Sequence, residues 1–173
     1  MIRRPARYFA VTVASVLILD QVSKALVRSS LAAGESVAVI GTVLSFTHVR
    51  NTGAAFGIFQ GGTPFFIATS VAVLAVIAWV WWRLRPANVW VVSALGLVSA
   101  GAAGNLIDRA VNGHVTDFID VHVWPVFNVA DVALDVGVGI LVVWLLFSKE
   151  AEGVSDPDAP AERPVRAGGD SAP

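Results

Sequence analysis

Four apolar runs, each about 20 residues long, constrain this chain more than any other feature. They cover residues of about 8–27, 64–82, 88–109 and 126–147. At 1.5 Å per residue, about 20 residues as a helix cross the hydrocarbon core of a bilayer. There the backbone must satisfy its own hydrogen bonds. Hydrophobic residues make up 55% of the chain and charged residues 14%, which sets it apart from ordinary soluble domains. The expected fold is an all-α membrane protein of four transmembrane helices, with one unit over 1–148. Residues 149–173 are rich in Ala, Pro, Gly and acids without apolar periodicity, and read as a disordered cytoplasmic tail.

Arginines orient the spans. Arg3, Arg4 and Arg7 precede the first, and Arg83 and Arg85 lie in the short link between the second and third. The positive-inside rule puts these flanks, and so both termini, in the cytoplasm. Trp81, Trp82, Trp90 and Trp124 stand near span ends, as interfacial tryptophans do. The first span could be taken for a cleavable leader ending at Ser30-Leu31-Ala32, but Asp20, Lys24 and Arg28 lie between the apolar run and that site. The first span is therefore expected to stay. The segment 31–63 interleaves Val37, Val39, Val43 and Val49 with Ser36, Thr42, Ser45 and Thr47, which predicts two or three short strands in a small extracytoplasmic β-rich segment. Gly53, Gly57, Gly61 and Gly62 mark turns. A second outer segment, 111–125, joins spans three and four.

Several chemistries are excluded or disfavoured. Cysteine is absent, which removes disulfides, thiol catalysis and cysteine-ligated metal. No basic stripe is interleaved with aromatics, so nucleic acid is not an expected partner. His48, His114 and His122 match no helix-borne ligand spacing, and no metal site is expected.

Residues 104–135 read GNLIDRAVNGHVTDFIDVHVWPVFNVADVALD, with five aspartates, an arginine and three asparagines. Ionisable groups at membrane depth are expensive and persist mainly where they line a cavity with a task. Helical rise puts Asp20 roughly 18 Å and Lys24 roughly 24 Å above Tyr8, and Asn105 roughly 25 Å above Asn88. Asp108 and Arg109 follow, pointing roughly 100° apart. Asp131 lies only about 7 to 8 Å below the outer end of the last span, with Asp135 one turn deeper. The polar groups thus crowd towards the outer face. Asp20 and Lys24, spaced i,i+4, share a helix face as an ion pair that also permits insertion. Asp117 and Asp131 are the pair with chemical potential. Two carboxylates in a poorly solvated site cannot easily both ionise. Sharing a proton, one can act as base towards water while the other donates to a carbonyl. Spacing alone also admits a helix cap and a surface charge.

These motifs resemble lipoprotein signal peptidase (signal peptidase II), a bacterial membrane protease family. Leu19-Asp20-Gln21-Val22-Ser23-Lys24, Val49-Arg50-Asn51-Thr52-Gly53-Ala54-Ala55-Phe56-Gly57, Gly104-Asn105-Leu106-Ile107-Asp108-Arg109, Val115-Thr116-Asp117-Phe118 and Phe127-Asn128-Val129-Ala130-Asp131 occur in the family's order. The resemblance implies an aspartic endopeptidase of the bacterial cytoplasmic membrane, with its active site near the outer face. The substrates it implies are diacylglyceryl-modified prolipoproteins, cut before the lipid-modified cysteine, and the surrounding partners are membrane lipids. It implies no cofactor and puts the catalytic dyad at Asp117 and Asp131. Asp20, Lys24, Asn51, Gly53, Asn105, Arg109 and Asn128 would shape the site or hold the substrate backbone, and Asp108 would support it. Val132 stands where members often have serine, and Asp135 adds an acid where they usually have a neutral residue. A proton-coupled transporter using Asp20, Asp131 and Asp135 is the competing class, but it would need polar groups near the midplane and commonly repeated halves.

Overall fold

The computed structural model of the chain describes residues 4–53 and 59–152. In chain order the elements are α1 (Arg4–Ser30), β1 (Ser36–Ile40), β2 (Leu44–Asn51), α2 (Thr63–Leu84), α3 (Val89–Asn112), β3 (Val115–Asp120) and α4 (Val129–Glu152). All four helices are long and apolar enough to cross a membrane. The tail expected from residue 149 meets a helix that runs on to Glu152, and residues 153–173 lie outside the described residues, as does the turn expected at Gly57.

Local chemistry sets the helix ends. Asn88 caps α3 by accepting from the N–H groups of Trp90 (2.9 Å) and Val91 (3.4 Å), as N-cap side chains do. At its other end Gly113 takes φ +75° and returns its N–H to the Arg109 carbonyl, a left-handed stop that suits glycine. Arg85 ends α2 in the same region, with φ +46°.

The third helix is the axis of the bundle. Two thirds (67%) of its membrane-crossing window is buried, against 6–17% for the other three, so α1, α2 and α4 pack around it and turn their outer faces to lipid. Close approach is built in. A Cβ on Gly104 would lie 2.5 Å from Asp20 Oδ2, and one on Gly101 would run into the Ala130 carbonyl and Leu134. Near the α2–α3 link the interior is apolar, with Ile77, Val91, Leu95 and Val98 packed against Phe9, Val80, Leu134 and Leu141. The far half is polar.

Two of the expected strands lie in 31–63, as β1 and β2. The third comes from the 111–125 segment, where none was expected. The sheet is antiparallel in the order β1-β2-β3, with Val49 opposite Asp117 and Asn51 opposite Val115. The strand β3 escapes a period-two reading because Val115, Thr116, Asp117 and Phe118 are all buried, so neither face is left polar.

Candidate functional site

The site is built where the sheet meets the C-terminal end of α3 and the N-terminal end of α4. Asn128, Val129, Ala130 and Asp131 open α4 with reciprocal bonds. The Asp131 N–H donates to Asn128 Oδ1 at 3.0 Å, and the Asn128 N–H donates to Asp131 Oδ2 at 3.1 Å. This is capping-box geometry with Asn and Asp in the two roles. The next free donor, the Ala130 N–H, is taken by Asp20 Oδ1 at 3.0 Å, so α1 helps to cap α4. Asp131 therefore serves the cap from the third helical position, with Asn128 as the N-cap itself, and the same carboxylate also faces a cleft.

Asp117, on β3, is 2% exposed and each of its oxygens receives an amide. Asn51 Nδ2 donates to Oδ2 at 2.8 Å and Asn128 Nδ2 to Oδ1 at 2.6 Å. Asn105 Nδ2 donates to Asp131 Oδ1 at 2.8 Å. A single residue, Asn128, thus bonds to both carboxylates.

The orientation of each amide is forced from behind. Asn51 Oδ1 accepts the Gly53 N–H (2.9 Å), Asn105 Oδ1 accepts Lys24 Nζ (3.0 Å), and Asn128 Oδ1 accepts the Asp131 N–H (3.0 Å). Backbone N–H and ammonium groups can only donate, so each amide must present its oxygen to them and its NH₂ to an aspartate. Asn128 Nδ2 also reaches Asn105 Oδ1 at 3.2 Å, which ties the two amides together.

A second polar layer lies beneath. Lys24 is 0% exposed and pairs with Asp20 Oδ2 at 3.0 Å and Asp108 Oδ2 at 3.1 Å. With Asn105 these use all three of its donors. Arg28 Nη1 reaches Asp108 Oδ1 at 3.4 Å and Thr116 Oγ1 at 3.2 Å, and the Thr116 N–H donates to Asp108 Oδ2 at 3.1 Å. Asp108 thus pins β3 to the bundle and does not line the cleft. Arg109 diverges from it, as the helical angle requires. Its Nη2 donates to the Gly53 carbonyl at 3.4 Å, and its guanidinium lies 4.9 Å from the centre of the Phe66 ring.

All ten candidate residues therefore join one network, in which Asp117 and Asp131 open on the cleft while Asp20, Lys24 and Asp108 stand behind. Ala54, Ala55, Phe56 and Gly57 of the second motif lie outside the described residues. Arg28, Gln21, Thr116 and Phe66 were missed as members. For Arg28 the signal was present, since Asp20, Lys24 and Arg28 fall at i, i+4 and i+8 on one face of α1. The histidines lie apart from the two carboxylates in their bonding. His48 Nδ1 bonds to the Leu31 carbonyl (2.9 Å), and His122 contacts Ser45 and Asp120.

The cleft holds about 550 Å³ and is lined by Asn51, Gly53, Asn105, Arg109, Asp117, Asp131 and Asp135, with Val115, Val126, Phe127 and Val132 among its apolar walls. Burial, and secondly the charge of Asp131, push the Asp117 carboxyl up to about 7. Donors from Asn51 and Asn128 and the Lys24 charge oppose the rise. Asp117 can therefore hold a proton near neutral pH beside a second carboxylate.

The chain is similar to known proteins in sequence and in fold. The family model for signal peptidase (SPase) II matches residues 12–147. The lipoprotein signal peptidase of Moorella thermoacetica is 40% identical over 142 residues, covering 82% of this chain and 94% of that protein. That of Geobacter sulfurreducens is 44% identical over 144 residues, covering 79% and 90%. Two solved bacterial membrane enzymes superpose on the chain. One has a TM-score of 0.80 at 33% identity, covering 86% of this chain and 93% of that one. The other has a TM-score of 0.73 at 35% identity, covering 80% and 92%.

Proposed function

This chain belongs to the signal peptidase II family, and from that premise we propose that it is an aspartic endopeptidase that removes signal peptides from prolipoproteins, cutting before the diacylglyceryl-modified cysteine. The observation that carries the aspartic assignment is Asn128, which bonds to Asp117 and Asp131 at once where both open on one cleft. In this mechanism Asp117 holds the shared proton and gives it to the scissile carbonyl oxygen. Asp131 takes a proton from the attacking water, whose oxygen bonds to the carbonyl carbon. The tetrahedral diol collapses as Asp131 returns its proton to the leaving nitrogen and Asp117 recovers the one it lent. Asn51 and Gly53 sit at the cleft wall beside the sheet, suited to an extended substrate chain.

The arginine placement supports an orientation with both termini cytoplasmic and the cleft at the outer face. There water is at hand and the lipid chains of the substrate stay in the bilayer. Each buried methylene adds about 0.8 kcal/mol to that anchoring, so lipidation fixes the depth of the scissile bond. Matched lipidated and unlipidated prolipoproteins offered to the purified enzyme test this. Only the lipidated one should be cut efficiently, and equal cleavage of both would point to a less selective membrane protease.

Activity should also report the Asp117 proton. Because this group must be protonated to act as the acid, kcat/KM should fall as pH rises through about 7. The Asn51 donor stabilises the ionised form, so Asn51→Ala raises the Asp117 pKa and should move the alkaline limb to higher pH, at a lower plateau. A limb that stays in place or moves down would remove Asp117 from the acid role.

A further inference from the structure

Among the described residues, Asp135 is the charged side chain in the cleft wall that makes no hydrogen bond or ion pair. Each other charge there has at least one partner. Arg109 donates to the Gly53 carbonyl and lies over Phe66, with its Nε buried and unbonded, and both carboxylates of the pair are bonded by amides. The cations behind the cleft, Lys24 and Arg28, are taken by Asp20 and Asp108. Asp135 is exposed, one turn along α4 from Asp131 on the same face, and therefore deeper towards the bilayer interior. Val132, three residues before it in the same wall, offers no donor. An unanswered carboxylate at this depth is costly unless an incoming group meets it.

We propose that Asp135 forms a donor-selective subsite, which takes a hydroxyl, amide or ammonium group of the signal peptide just before the cut. This rests on the peptidase reading above. The chemistry of that substrate narrows the choice. A diacylglyceryl thioether carries ester carbonyls but no N–H or O–H, so its lipid part cannot answer a carboxylate. The peptide entering from the membrane side can. The carboxylate would then choose among signal peptides, favouring donors and rejecting acids.

The test is a charge swap. Lipidated substrates carry Lys, Ala or Glu at each of the last few positions before the cut in turn. They are given to the wild type, Asp135→Asn and Asp135→Lys in lipid nanodiscs. At one position the wild type should rank Lys over Ala over Glu, with about tenfold or more between the extremes, mainly in KM. Asp135→Asn should compress that range, and Asp135→Lys should invert it. If the Lys variant does not insert, the compression in Asp135→Asn decides. The same ranking at every position in all the enzymes would overturn the subsite and leave the peptidase standing. No cleavage of any lipidated substrate by the wild type would overturn the peptidase reading, and the subsite with it.

Discussion

Asp117→Asn and Asp131→Asn should each lower kcat by about 10²–10⁴-fold, the contribution of a positioned acid or base, while the protein still folds and inserts. An amide can neither hold the shared proton nor take one from water. The substitution is also not neutral for the network. Asn51 and Asn128 both present NH₂ to Asp117, and their own oxygens are held by Gly53 and Asp131. An Asn at 117 must therefore turn its NH₂ towards one of these donors, leaving one hydrogen bond unmade at a cost of about 1–3 kcal/mol. Loss of a buried carboxylate offsets part of that cost. At position 131 an Asn keeps one acceptor oxygen for two donors, the Asn128 N–H and Asn105 Nδ2, so one of these bonds is lost at a similar cost.

The double variant separates chemistry from stability. Groups that act as one unit lose their effect only once, so Asp117→Asn/Asp131→Asn should be no slower than the slower single variant, while its stability loss departs from the sum because both carboxylates bond to Asn128. Near-normal turnover by either purified single variant would rule out the pair as the catalytic dyad.

The sequence made some of this site plain and hid the rest for physical reasons. Span length and apolarity predict four helices because lipid leaves few alternatives for the backbone. Asp131 was visible as an acid at the head of the last span, and there it both closes the capping box with Asn128 and lines the cleft. The strand carrying Asp117 was not visible, since burial on both faces erases the alternation by which strands are recognised. Nor was the chain of oriented amides. It joins Asn51, Asn105 and Asn128 from β2, α3 and the start of α4, and no spacing rule within one element relates them. Arg28 was weighed only against a cleavable leader and not as part of the site, although its register with Asp20 and Lys24 was readable.

Lys24→Met should be the most destabilising single change in the buried layer, at about 3–5 kcal/mol, because it leaves buried acids without their cation. Lys24 and Asp20 are each 0% exposed, and Asp108 keeps one cation, Arg28 at 3.4 Å, beside the Thr116 N–H. Asp20 would retain the Ala130 and Gln21 donors but no positive charge. Asp20→Asn alongside Lys24→Met restores the charge balance, and an Asn there can still accept the Ala130 N–H. The double variant should therefore recover at least half of the lost stability, read as the shift in denaturant midpoint in mixed micelles. A structural lysine would stop there. This one also holds the Asn105 oxygen and, through its charge, opposes the rise in the Asp117 pKa. Its loss leaves the Asn105 oxygen the longer bond from Asn128 alone, which loosens the hold on the Asn105 amide facing Asp131, so kcat should drop even where the protein remains folded. The alkaline limb of the pH profile should move upward, as it does for Asn51→Ala. A midpoint shift worth less than about 1 kcal/mol would put the pair among those contributing little. An unmoved pH limb would confine Lys24 to packing.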